Sequence, residues 1–283
     1  MYQAWYQIDK DLFSRDEISN EGLWIKGALS FCIQTGTFCN FSCPFCLSNS
    51  GPNGTTKIDW IEKALINLNK IAGPSRIVWA GGEPTLIPGL DRLLDMSKSL
   101  GNINILTTNG SVHFSSPNVD WIDFSIYGVD DISYTEMTGR SVYDKVWRNI
   151  KKVTKTQSRV SINAILNLNS TTMIIKIIER CYDLGIHRVK LHRPLPIGRL
   201  NQQISEIDTL RAVKEIRNSV PDEMIVSYPL TNNVQEMVSA YWVVRPPGVI
   251  INNLLELPLS NRNSVLEEIE NNLKEHYKIF VEF

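Results

Sequence analysis

Residues 29–46 read LSFCIQTGTFCNFSCPFC. The apolar, β-rich start predicts a strand over 29–34. Beyond it, Cys39, Cys43 and Cys46 fall in a loop with the spacing C-x3-C-x2-C. Further on, Trp60, Ala64, Leu65, Leu68 and Ile71 recur at helical spacing, with Asp59 placed to cap. A strand that runs into a ligand-bearing loop and then a helix is the opening of a βα unit.

The same unit recurs along the chain. Further β-rich segments appear at 76–80, 102–107, 121–126, 159–166 and 187–192. Helical stripes lie between them: Leu90, Leu93, Leu94 and Leu100; Val142, Val146, Ile150 and Val153; Ile174, Ile177, Ile178, Cys181 and Leu184. Six such units predict an α/β fold, a partial (β/α)6 TIM-like barrel of parallel strands with helices outside. Such a fold places its ligand site at the carboxyl ends of the strands. The cysteine triplet follows the first strand, Gly81-Gly82-Glu83-Pro84 the second and Asn109-Gly110 the third.

Three spans are expected: a lead-in over 1–28, a core barrel over 29–219, and a small α+β extension over 220–283 closing one side. That extension reads as a strand at 224–228, an irregular turn at 245–248, a helix at about 264–276 and a last strand at 278–282.

Composition sets the class. Of 283 residues, 43% are hydrophobic, enough for a sizeable core. Charge is balanced, 29 basic residues against 30 acidic, which argues against long nucleic acid as a partner. No run of eighteen apolar residues occurs, and residues 1–20 do not read as a signal peptide or membrane anchor. The expectation is a cytoplasmic protein with no membrane partner, whose thiols stay reduced. Four of its five cysteines lie between positions 32 and 46, and such clustering favours a metal site over a disulfide framework.

Three thiolates in eight residues can hold three corners of a [4Fe–4S] cube. A closed cube normally takes four cysteines, so three leave one iron open to a second molecule. Structural zinc is a rival, with Cys32 as a fourth sulfur, but there is no second close pair and no paired His nearby. The bacterial ferredoxin spacing does not fit either. Cys32, in the first strand, and Cys181, on an apolar helical stripe, read as small core residues.

Together these segments resemble a known family. Cys39-x3-Cys43-x2-Cys46, with aromatic Phe45 before the last Cys, is similar to the signature of radical S-adenosylmethionine (SAM) enzymes. Gly81-Gly82-Glu83-Pro84 resembles their amino-group-binding motif. Thr108-Asn109-Gly110, Phe124-Ser125-Ile126-Tyr127-Gly128 and Met137-Thr138-Gly139-Arg140 resemble the branch of molybdenum-cofactor cyclases and SPASM-type peptide maturases. The match runs from about Leu29 to Arg199.

The resemblance implies a [4Fe–4S] cluster on Cys39, Cys43 and Cys46, with SAM on the open iron. One electron would cleave SAM to methionine and a 5′-deoxyadenosyl radical that abstracts hydrogen from a substrate. It implies SAM contacts from Phe45, Gly81, Gly82, Glu83, Pro84, Asn109, Ser125, Arg140, Asn163 and Leu191. Glu83 would face the ammonium group, and Arg140 the carboxylate. Tyr127 would be an aromatic wall or a proton donor. His192, Arg193 and Arg199, after the sixth strand, would meet a carboxylate or phosphate of the substrate. An external electron donor such as flavodoxin or ferredoxin is implied as a partner.

The chain departs from that branch in having no Cys beyond Cys181, where SPASM relatives and cyclases carry auxiliary-cluster cysteines. One cluster is therefore expected, which favours rearrangement, elimination or quenched abstraction over oxidation. The first expectation for substrate is a ribosomally made peptide, although 1–28 is short for a peptide-recognition domain. The alternative is a small sugar, nucleoside or amino acid. A reading of another class is a non-catalytic iron–sulfur or regulatory protein on the same scaffold.

Overall fold

The computed structural model describes residues 30–56, 58–157, 159–166, 171–192, 198–200, 206–227, 242–245, 249–252 and 255–258. Its strands are β1 (Ser30–Gln34), β2 (Arg76–Ala80), β3 (Ile103–Thr108), β4 (Trp121–Ser125), β5 (Val160–Ile165), β6 (Arg188–His192), β7 (Ile225–Ser227), β8 (Trp242–Arg245), β9 (Val249–Asn252) and β10 (Leu255–Pro258). The α-helices are α1 (Ile61–Ala72), α2 (Leu90–Ser99), α3 (Asp131–Thr138), α4 (Tyr143–Val153), α5 (Thr171–Asp183) and α6 (Glu206–Ser219).

Strands β1 to β7 pair in sequence order and all run parallel. With helices on one side they form a partial (β/α)6 barrel, the architecture read from the sequence. On the other edge, β8 lies parallel to β1, and β9 and β10 follow as antiparallel strands, so the sheet order is β10-β9-β8-β1-β2-β3-β4-β5-β6-β7. The C-terminal strands thus extend the barrel's own sheet, and β8 to β10 were not anticipated. The expected helix near 264–276 and strand at 278–282 lie outside the described residues. Among the described residues, no helix is long and apolar enough to cross a membrane.

Side chains alternate between the two faces of each strand. Phe31, Ile33, Ile77, Trp79, Leu106, Ile122, Phe124, Ile162, Ala164, Val189 and Leu191 pack with Ile61, Leu65, Leu68, Leu93, Leu94, Val146, Ile150, Ile174 and Ile177 in one apolar core. Each buried aliphatic side chain here contributes about 1.5–3 kcal/mol. The other face, lining the barrel, is different. It holds a small apolar patch of Ile105 and Trp121 and, beside it, a buried polar chain. Lys190 Nζ lies 2.8 Å from Asp123 Oδ2, with both side chains under a tenth exposed. The hydroxyl of Ser161 donates to Asp123 Oδ1, and Trp121 Nε1 donates to Ser161 Oγ at 2.8 Å.

Two local readings change. Asp59 does not cap α1: its N-cap is Trp60, without a side-chain bond. Helix α3 was missed because only Tyr134 and Thr138 of its residues are buried, so it has no apolar stripe. Its signal was a capping box, in which Asp130 accepts from the Ser133 backbone at 2.8 Å. It ends at Gly139, where φ is +74°.

Candidate active site

The cysteine loop lies beyond the carboxyl end of β1, and neighbouring loops close on it. From β2, Gly82 N donates to Gly36 O at 2.8 Å and Glu83 N to Phe38 O at 2.9 Å. A Cβ on Gly82 would strike the Phe38 carbonyl, and one on Gly81 would come within 2.9 Å of the Thr35 and Gly36 backbone. The two glycines are thus required by the approach of the β2 loop to the cysteine loop. The Gly81 carbonyl accepts from Ser48 Oγ at 2.8 Å and from Ser50 Oγ at 3.3 Å.

Glu83 is buried and ties this loop to the end of β3. Its Oε1 accepts from Thr85 N, Thr85 Oγ1 and Thr108 Oγ1, and its Oε2 from Asn109 N at 2.7 Å. Burial pushes the Glu83 carboxyl up from its ordinary value, and these four donors pull against it. Pro84 is buried at the start of a 3-10 turn, Pro84–Leu86.

From β3, Asn109 Nδ2 donates to Asn40 Oδ1 at 2.9 Å and reaches Cys39 Sγ at 3.8 Å. Asn40 Nδ2 in turn donates to Ser111 Oγ at 2.8 Å. From α3, Ser42 N donates to Thr138 O at 3.0 Å, and Arg140 Nε to Asn40 O at 2.8 Å. Phe41 packs edge-on against Tyr134 of α3 with centroids 6.1 Å apart, and Phe45 meets Tyr127 at 4.7 Å. Sequence reading gave no role to Asn40, Phe41, Ser48, Ser50 and Thr108; single polar or aromatic residues in a loop carry no periodic signal.

The sulfurs are half-buried, and two of them accept backbone hydrogen bonds. Phe41 N donates to Cys39 Sγ at 3.3 Å and Ser50 N to Cys46 Sγ at 3.2 Å. Burial pushes the Cys39 thiol up to about 11 and the Cys43 thiol up to about 12, and the neighbouring cysteines add repulsion. A bound cation must therefore draw out these protons, as metal binding does. Among the described residues, no group of three or more His, Cys, Asp and Glu converges on one ion position. A cube asks instead for one thiolate per iron, with N–H donors around the sulfurs. Three thiols on one loop, two of them receiving backbone N–H groups, fit that demand.

The other anticipated residues divide. Ser125 and Asn163 are both buried and paired in register across β4 and β5. Tyr127 packs edge-on against Phe45, and burial holds its phenol well above the ordinary value, fully protonated. His192 Nε2 lies 3.2 Å from Asn163 Oδ1, and burial pushes its imidazole down to about 4. The Leu191 side chain belongs to the helix-facing core. Arg193 lies outside the described residues. Arg199 has turned to the cysteine loop, where its Nη1 donates to Cys43 O at 2.6 Å and its Nε to Asn49 Oδ1 at 3.0 Å.

Known proteins share this layout. Residues 33–173 match the model of the Radical SAM superfamily. A probable GTP 3′,8-cyclase of Saccharolobus islandicus is 28% identical over 187 residues, 62% of this chain and 60% of the relative. The match thus spans less than two thirds of that relative's length. An S-adenosylmethionine-dependent nucleotide dehydratase of Flammeovirga pacifica is 28% identical over 239 residues, 76% of this chain and 79% of the relative. Streptococcus suis SuiB bound to precursor peptide SuiA shares the fold with a TM-score of 0.65 at 17% identity, covering 80% of this chain and 60% of SuiB. The matched span begins in β1, carries the cysteine loop and runs on into α5: the chain belongs to the radical SAM superfamily.

Proposed function

We propose that this chain is a radical SAM enzyme with one [4Fe–4S] cluster on Cys39, Cys43 and Cys46, acting on a small anionic molecule, with a nucleotide as the first candidate. The convergence of the β2, β3 and α3 loops on the three-cysteine loop carries the reading. When bound, the cluster supplies the electron that splits SAM into methionine and a 5′-deoxyadenosyl radical.

The chain's own residues do the rest. In the Gly81–Glu83 turn, Ser48 and Ser50 hold the Gly81 carbonyl, and the Gly82 carbonyl and the second acceptor position of Glu83 Oε2 would meet an ammonium group. Asn109, Ser125 and Asn163 offer neutral polar contacts for the methionyl and ribosyl parts, and Leu191 offers backbone to the adenine. Arg140, already bonded to the Asn40 carbonyl, keeps further donors for a carboxylate. Phe45 and Tyr127 wall the site with apolar surface that excludes water. Tyr127 acts there as a neutral wall, since burial suppresses its ionisation.

The curated relatives favour a nucleotide, since both are named for nucleotide substrates at 28% identity. The peptide expectation rests on the branch resemblance and remains the second reading. An external one-electron donor such as flavodoxin or ferredoxin is part of the proposal.

The test is anaerobic reconstitution followed by dithionite, SAM and a panel of deuterated nucleoside triphosphates, with a ribosomal peptide library in parallel. Release of 5′-deoxyadenosine carrying deuterium from a nucleotide is the expected result. Deuterium arriving only from peptides would replace the substrate class. A fully loaded cluster that never cleaves SAM would leave the non-catalytic reading.

A further inference from the structure

The chain returns to the cysteine loop after β6 and grips it through two residues. Gly198 sits at φ +73°, and a Cβ there would collide with the carbonyl oxygens of Cys46 and Leu47. Next to it, Arg199 N donates to Cys46 O at 3.1 Å. The Arg199 guanidinium then spreads over the loop. Its Nη1 takes Cys43 O at 2.6 Å, its Nη2 takes Ser50 O, and its Nε takes Asn49 Oδ1 at 3.0 Å. One residue thus holds the carbonyls of two cluster cysteines, and that of Ser50, whose own N–H donates to Cys46 Sγ.

This is a task for arginine. A planar fork can hold several carbonyls in fixed directions, whereas a lysine ammonium is a point charge on a flexible stem. The same geometry fixes a permanent positive charge beside the loop. Net charge around an iron–sulfur cluster sets its reduction potential, because each added electron is stabilised by a nearby cation.

We infer that Arg199 is a positioning residue that orders residues 43–50 before the cluster arrives and makes the bound cluster easier to reduce. The inference rests on the proposal that Cys39, Cys43 and Cys46 carry a cluster. It gives Arg199 a different partner from the substrate anion expected from sequence.

The two halves separate in Arg199→Met and Arg199→Lys. Hydrogen exchange of the apoprotein should be at least tenfold faster across residues 43–50 in both, with far-UV circular dichroism unchanged. After reconstitution, an EPR-monitored redox titration should put the Met variant at a more negative midpoint than the wild type. The Lys variant, which keeps the charge, should stay close to the wild type. Unchanged exchange in both variants overturns the ordering role. An unchanged midpoint in the Met variant overturns the action on the cluster, even if exchange is faster. A wild type that takes up no cluster overturns the functional reading and this inference with it. A loaded wild type beside an unaltered Met variant overturns this inference alone.

Discussion

Strands β4, β5 and β6 show two faces made from alternate residues. Toward the helices stand Ile122, Phe124, Ile162, Ala164, Val189 and Leu191, all buried and all apolar. Toward the barrel interior stand Trp121, Asp123, Ser125, Ser161, Asn163, Lys190 and His192, polar except for the tryptophan's ring. The first face gains free energy from burial. The second costs desolvation at every group and recovers it only through partners. On the functional proposal, this polar face, which gains so little from burial, is the one turned toward a ligand.

The largest expected effect comes from breaking the ionic pair on the inner face. Lys190→Met leaves Asp123 buried without its cation and should cost about 3–5 kcal/mol in urea unfolding. Replacing Asp123 by Leu at the same time should restore most of that stability. Equal losses in the single and double variants would mean that the pair is not the unit holding this face.

On the helix side, Ile162→Ala should cost about 3 kcal/mol by leaving a cavity. It should leave SAM binding by the reconstituted protein unchanged, which isothermal titration can check. A comparable loss of SAM affinity would show that the two faces are not separable.

The smallest effect is one of pH. His192 titrates near 6.5 unfolded and is pushed down to about 4 when folded, by burial and then by Lys190. The unfolded chain therefore binds the extra proton first. Stability is full above pH 6.5 and falls as pH drops toward 4. With allowance for its partial exposure, the loss at pH 5 is about 1 kcal/mol. His192→Gln should flatten the stability profile between these values; an unaltered profile would assign the acid sensitivity to other groups.

These contrasts also explain what the sequence showed. The helix-facing residues carry periodicity, so the six strands of the barrel core were read within a residue or two of their observed ends, and apolar stripes marked four of the helices. The cysteine loop was legible because three thiols at fixed spacing are rare in chance sequence. Helix α3 was hidden because its stability comes from caps and two buried residues. Strands β9 and β10, four residues each, are too short to show a period, and β8 was hidden because its partner β1 is far away in sequence. The tasks of Gly82 and Arg199 were invisible for the same reason. Gly82 answers to the Phe38 carbonyl and Arg199 to the Cys43 carbonyl, contacts that only the folded chain creates.

The most direct measurement is pulsed EPR of the reduced, reconstituted protein with SAM labelled with nitrogen-15 at its amino group and carbon-13 at its carboxylate. Hyperfine coupling of both labels to the cluster, lost together with the cluster signal in Cys39→Ala, Cys43→Ala or Cys46→Ala, is the expected result. A fully loaded cluster whose spectrum is unchanged by SAM, with no coupling to either label, would contradict the assignment of the three-cysteine loop as a SAM-binding centre.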